Sequence, residues 1–302
     1  MSLIECVPNV SEGRRRVVVE AMAAAIRGVP GVILLDHSSD AAHNRSVFTL
    51  VGGTRDLRHA VLALFDRAVA EIDLRAHIGV HPRIGAVDVV PFVPLEDATM
   101  PECAVLARET GAEVAARYGV PVYLYGDAAT VPTRRSLEDV RRGQFEGLAA
   151  KMARPEWQPD FGPLAPHPTA GASAFGARPL LIAYNVNLAS DRLDVAKAVA
   201  AAVRERGGGL PAVKAMGVPI ESLGIVQVSM NLTDYRRTSM RAAFDAVARA
   251  SASQGVAILD SEIVGLVPRA ALSDTDPADL RIRGFTEDRI LEHRLERLTR
   301  LR

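Results

Sequence analysis

One element order, strand–helix–strand–strand–helix–strand, is written twice along this chain, and that repetition constrains the fold more than any single motif. In the first copy the apolar run Ile4-Glu5-Cys6-Val7 predicts a strand, followed by Pro8-Asn9. A helix is predicted over Arg14–Ile26, strands over Val32–Leu35 and Ser46–Val51, a helix over Asp56–Glu71 and a strand over Val87–Phe92. The second copy runs through a strand at Leu180–Asn187, a helix at Asp191–Arg204, strands at Val213–Met216 and Ile225–Leu232, a helix at Ser239–Ser253 and a strand at Ala257–Val267. This is the ferredoxin-like order. The expected fold class is therefore α+β: two ferredoxin-like (βαββαβ) subdomains, residues 1–178 and 179–302, forming an α/β sandwich with a ligand cleft between them.

Between the copies, a helix is predicted near Glu102–Arg117 and a strand at Val120–Tyr125. The segment Pro155–Gly176 carries Pro155, Pro159, Pro163, Pro166 and Pro168, which argues against a regular element. In a duplicated α/β protein such a connector sits where ligand clefts form. Gly207-Gly208-Gly209 reads as a helix stop. The polar tail Asp274–Arg302 predicts a solvated surface helix without chemistry.

Net charge is zero, from 36 basic and 36 acidic residues, whereas a sequence-independent nucleic-acid binder carries a basic excess. No apolar run approaches the ~20 residues that span a bilayer. The N-terminus lacks a secretory pattern. The only cysteines, Cys6 and Cys103, do not make a disulfide framework, so a reducing cytoplasm is the expected setting. No phosphate loop, dinucleotide fingerprint or Gly-x-Ser-x-Gly elbow is present. A small-molecule partner is expected, with no nucleic acid and no membrane.

Three clusters carry candidate chemistry. The densest is His77-Ile78-Gly79-Val80-His81-Pro82-Arg83-Ile84-Gly85 with Asp88. Imidazole titrates near neutral pH and both accepts and donates protons. Arg83 is a permanent cation suited to a carboxylate. His77 and His81 have the spacing of a helical metal pair, but Gly79 and Pro82 argue against a helix, and no Glu follows His77. The second cluster, Asp36-His37-Ser38-Ser39-Asp40-Ala41-Ala42-His43-Asn44-Arg45, fits a polar turn or a functional loop, with Asn44 and Arg45 at the start of the next strand. In the third, Cys6 to Gly13, Ser11 is placed to cap the coming helix, whose N-terminus also suits an anion. Cys6 has no evident activator and reads as a buried thiol.

With these residues the chain resembles the glutamate formimidoyltransferase family, over nearly its whole length. The segments that carry the resemblance are Glu5-Cys6-Val7-Pro8-Asn9 with Ser11-Glu12-Gly13, Asn44-Arg45, His81-Pro82-Arg83 through Asp88-Val89-Val90-Pro91-Phe92, Val120-Pro121-Val122-Tyr123-Leu124-Tyr125-Gly126, Pro159-Asp160-Phe161-Gly162-Pro163, Gly176-Ala177-Arg178, Gln227-Val228-Ser229-Met230-Asn231-Leu232 and Glu262-Ile263-Val264-Gly265-Leu266-Val267-Pro268. The resemblance implies transfer of a formimino group from N-formimino-L-glutamate to N5 of tetrahydrofolate, the co-substrate, as in histidine degradation. It implies that His81 is the catalytic acid/base and that no metal takes part. It implies that the run Gly162-Pro163-Leu164-Ala165-Pro166-His167-Pro168-Thr169-Ala170-Gly171 contacts folate, and that the chain forms a homodimer, as such proteins often do. Arg45, Arg83 and Arg178 are the expected partners of the donor's carboxylates.

The chain departs from the family in three places. It runs to residue 302, so no fused cyclodeaminase is expected. Ser38 stands where animal members carry an Asp, which moves any helper of His81 to Asp36, Asp40 or His77. The run Leu164-Ala165-Pro166-His167-Pro168 also differs from the usual folate segment. Two other classes stay open: a metal-dependent amidohydrolase using His37, Asp40, His43, His77 and His81, and a folate carrier without turnover. The donor is also open, since N-formyl-glutamate differs only by oxygen for nitrogen.

Overall fold

A computed structural model describes residues 2–41, 43–79 and 81–300; Met1, Ala42, Val80 and 301–302 lie outside the described residues. Ala42 and Val80 belong to the second and first candidate clusters. The chain divides into two compact units, Met1–Arg178 and Pro179–Arg302. Each holds one sheet, and the chain is mixed α+β with eight α-helices among the described residues.

The first unit contains β1 (Ile4–Cys6), β2 (Asn9–Val10), α1 (Arg16–Arg27), β3 (Ile33–Asp40), β4 (Arg45–Gly52), α2 (Thr54–Glu71), β5 (Val87–Pro94), α3 (Met100–Tyr118), β6 (Val122–Gly126), α4 (Leu137–Arg141), α5 (Gln144–Met152) and β7 (Ser173–Ala177). β3 pairs with β4, and β1 and β2 lie end to end between β4 and β5, all antiparallel. β7 and then β6 extend the sheet in parallel. Side-chain alternation explains why both faces are covered. Val122 and Leu124 enter the core beneath α1, α2 and α3, while Tyr123 and Tyr125 face a second apolar cluster with Val140, Leu148 and Met152 from α4 and α5. α3 shows sequence signals acting as written: Thr99 and Glu102 make a capping box, and Gly119 closes the helix in the left-handed region.

The second unit runs β8 (Ile182–Leu188), α6 (Leu193–Val203), β9 (Val213–Ile220), β10 (Ile225–Leu232), α7 (Met240–Ala252), β11 (Ile258–Val264) and α8 (Leu291–Arg300). Its sheet is antiparallel in the order β11-β8-β10-β9. Ile182, Tyr184, Val186 and Leu188 pack in the core with Val195, Val199 and Phe244. Asn185 and Asn187 alternate to the other face, where Gln227 donates to Asn187 at 2.9 Å and Asn187 to Asp260 at 2.6 Å.

Three sequence expectations differ here. Residues 36–40 continue β3 instead of forming a turn, because they pair in register with β4. The Pro-rich connector ends in a regular element, β7, because its small residues fit between β5 and β6. Ser11 does not cap α1: its hydroxyl donates to the Gly85 carbonyl at 2.7 Å, and the Glu12 carboxylate takes the Arg14 and Arg15 amides instead.

Candidate active site

Three loops of the first unit meet at Asn44. Its backbone is left-handed, with φ 48°, a conformation Asn tolerates through its short polar side chain. Its Oδ1 accepts from the Gly13 amide at 3.0 Å, and its Nδ2 donates to the Ile78 carbonyl at 3.1 Å. Close approach needs glycine on both sides. A Cβ at Gly13 would lie 2.4 Å from the Asp40 carbonyl oxygen, and one at Gly79 would lie 2.4 Å from that of His43.

The loop that follows carries His77, His81 and Arg83. Arg83 Nε donates to His77 Nδ1 at 3.1 Å, so the ring proton sits on Nε2, which reaches the Asn44 carbonyl at 2.9 Å. Arg83 also holds Glu146 of α5 in a two-bond fork at 2.9 and 2.7 Å. The same loop is stitched to the end of the connector: Leu74 donates to Thr169, Ala86 to Ala170, and Ala172 to Ile84, at 2.9, 3.0 and 2.9 Å.

Val10, Ser11, His43, Asn44, Arg45, His77, His81, Arg83 and Asp88 line one narrow depression. The His81 ring faces that of His43 edge-on, with centroids 6.1 Å apart. Asp40 fixes His43, at 2.8 Å from Nδ1 and 2.8 Å from its backbone amide. Burial, and then the positive charges of Arg45, Arg141 and His43, push His81 down to about 2. His81 is therefore neutral at neutral pH, the form that accepts a proton. Arg45 donates to the neutral side chain of Asn9. Burial and the neighbouring Arg141 lower Arg45 to about 10, which still leaves it a cation. Asp88 accepts from the Ile84 amide at 2.7 Å and from Arg141. The arrangement joins a proton acceptor to an anion-attracting wall.

The formiminotransferase N-terminal subdomain family matches residues 3–178, and the formiminotransferase domain family matches 183–283. The chain belongs to the formiminotransferase family. It is 42% identical over 294 residues to a glutamate formimidoyltransferase of Streptococcus pyogenes serotype M1, covering 97% of this chain and 98% of that protein. A glutamate formimidoyltransferase of Thermoplasma acidophilum is 45% identical over 299 residues, 98% of each chain. The formimidoyltransferase-cyclodeaminase of Gallus gallus is 42% identical over 278 residues, 90% of this chain but 51% of that relative. The chain is thus a transferase.

In this formiminotransferase-family chain, the site brings together His81, Arg45, Arg83, His77 and, through His43, Asp40. Asp36 lies back along β3, opposite Thr49, and does not line the depression. Arg178 does not line it either and acts instead on Glu5 and Tyr125. Arg83 already holds Glu146. Gly162 to Ala165 are exposed, and His167 Nδ1 accepts the Ala170 amide at 3.0 Å, bracing the turn that holds the His81 loop. Of the five side chains that an amidohydrolase metal would need, His37 stands apart: it stacks on Phe48 and reaches Glu20 of α1 at 3.2 Å. Sequence reasoning missed Arg141, which comes from a helix it did not predict, 53 positions from its partner Asp88. No local pattern marks it.

Proposed function

We propose that this chain transfers the formimino group of N-formimino-L-glutamate to N5 of tetrahydrofolate, giving 5-formiminotetrahydrofolate and glutamate, a step of histidine degradation. The observation that carries the reading is a neutral His81 beside the Arg45 cation in a chain of this family. The N5 nitrogen attacks the formimino carbon and a tetrahedral intermediate forms. The bond from that carbon to the glutamate nitrogen then breaks. N5 loses a proton and the departing nitrogen gains one, so a single imidazole that accepts and returns the proton balances the step. Arg45 takes a donor carboxylate, His43 held by Asp40 steadies the His81 ring, and the connector run 162–171 borders the folate. Holding two substrates together lowers much of the remaining barrier.

The test is turnover with tetrahydrofolate and either the formimino or the formyl donor. Transfer is expected from the formimino donor, and His81→Ala should lose about a hundredfold or more while folate still binds. Near wild-type turnover in that variant would remove His81 from the mechanism.

A further inference from the structure

Arg45 lines the depression and Arg141 stands behind its wall, held there by the lining residue Asp88; both act on the His81 imidazole, and neither is fully partnered. Arg45 gives its guanidinium to a neutral amide, and its buried Nε has no partner among the described residues. Arg141 gives one nitrogen to Asp88, and its buried Nε is likewise without a partner. Asp88 cannot serve both fully, because its other oxygen holds the Ile84 amide. Like charges held together away from water favour an incoming anion, and a guanidinium pair presents donors matched to a carboxylate.

We propose that Arg45 and Arg141 together seat one carboxylate of the donor, so that the substrate's own charge completes the site in which His81 takes the proton from N5. The donor's identity rests on the formimino transfer proposed above. The charge count shows why the seat matters. Arg45 and Arg141 against Asp88 leave one net positive charge beside His81, and a proton on His81 makes two. A seated carboxylate returns that total to one. Of the other groups near the ring, Arg83 is paired with Glu146, and Asp40 holds His43. The empty site thus holds a base too weak to carry a proton between the two nitrogens, and the substrate supplies the missing charge. Burial depresses His81 most, and the Arg45, Arg141 and His43 charges that add to it are the part a seated carboxylate offsets.

The test follows the His81 ring by NMR on isotope-labelled histidine, using glutarate, a dicarboxylate with nothing to transfer, as the probe. In the free protein the ring should stay neutral well into the acid range. Saturating glutarate should raise its titration by about one pH unit or more. Arg141→Gln should weaken glutarate about tenfold and abolish most of the shift, whereas Arg141→Lys should retain part of both. A His81 that titrates normally without ligand, or that ignores bound glutarate, overturns the proposal, as does undiminished glutarate affinity in Arg141→Gln. The wild-type titration decides even if that variant fails to fold. A glutarate-dependent shift without formimino transfer from any donor would sink the proposed function and leave the seat standing. Transfer with an unresponsive His81 would do the reverse.

Discussion

Arg83 donates to Nδ1 of His77, and this one bond assigns the ring's proton to its other nitrogen. His77 is thereby a strut between Arg83 and the Asn44 carbonyl, with both ring nitrogens occupied. His77→Ala should cost about 1 kcal/mol of stability, from the lost pair and the unmatched polar atoms, seen in urea unfolding. Its turnover should fall far less than that of His81→Ala. A stable variant with a hundredfold loss would return His77 to the chemistry.

Asn44 combines a left-handed backbone with two side-chain hydrogen bonds. Asn44→Ala loses both bonds and keeps the strain, for about 2–3 kcal/mol. Asn44→Gly should recover about 1 kcal/mol of that, because glycine enters the same region freely. Equal unfolding midpoints for the two variants would show that the backbone strain is not a factor.

Glu5 is buried on β1, and burial raises it to about 7 against the opposing charge of Arg178. The folded chain then keeps a proton that the unfolded chain has released. The sign follows from linkage: this stabilisation is complete below the unfolded value of 4.5 and is lost as pH rises to about 7. At ~1.4 kcal/mol per unit, the change is about 3 kcal/mol. Glu5→Gln carries no such proton, so its stability relative to wild type should climb across that window and level off above it. A pH-independent difference in denaturation curves would contradict the assignment.

The Arg134–Asp160 ion pair is almost fully buried, with side chains 7% exposed on each side at 2.8 Å. Asp160 also takes the Leu124 amide, and Arg134 reaches the Gln158 carbonyl, so the pair anchors the start of the connector. Asp160→Ala strands a buried cation and should cost about 3 kcal/mol or more in chemical denaturation. Pairing it with Arg134→Met should restore much of the loss. Equal damage in the single and double variants would mean that the carboxylate matters for the backbone and not for the charge.

Much of this was legible in the chain itself. β10 falls at Ile225–Leu232 as its alternation predicts, and α2 and α3 extend only a residue or two beyond their periodic cores. The loop position of His81 and Arg83 also followed from Gly79 and Pro82. What stayed hidden depends on partners far away in sequence. β7 is a run of small residues that becomes a strand only between β5 and β6. Arg141 acquires its meaning from Asp88, and Ser11 is drawn from its helix by a carbonyl at Gly85. Local pattern reports period and capping, whereas these residues are decided by tertiary contacts that outweigh both.

The stitching of Leu74, Ile84 and Ala86 to Thr169, Ala170 and Ala172 has a consequence for the newborn chain. A ribosome that has released Asp88 has already delivered His43, Arg45, His77, His81 and Arg83. Yet the backbone that holds their loop is still unmade, and so is Arg141. The site can set only after some eighty further residues emerge, as the contact spacing requires. Until then the emerging segment holds most of the chemistry without its geometry.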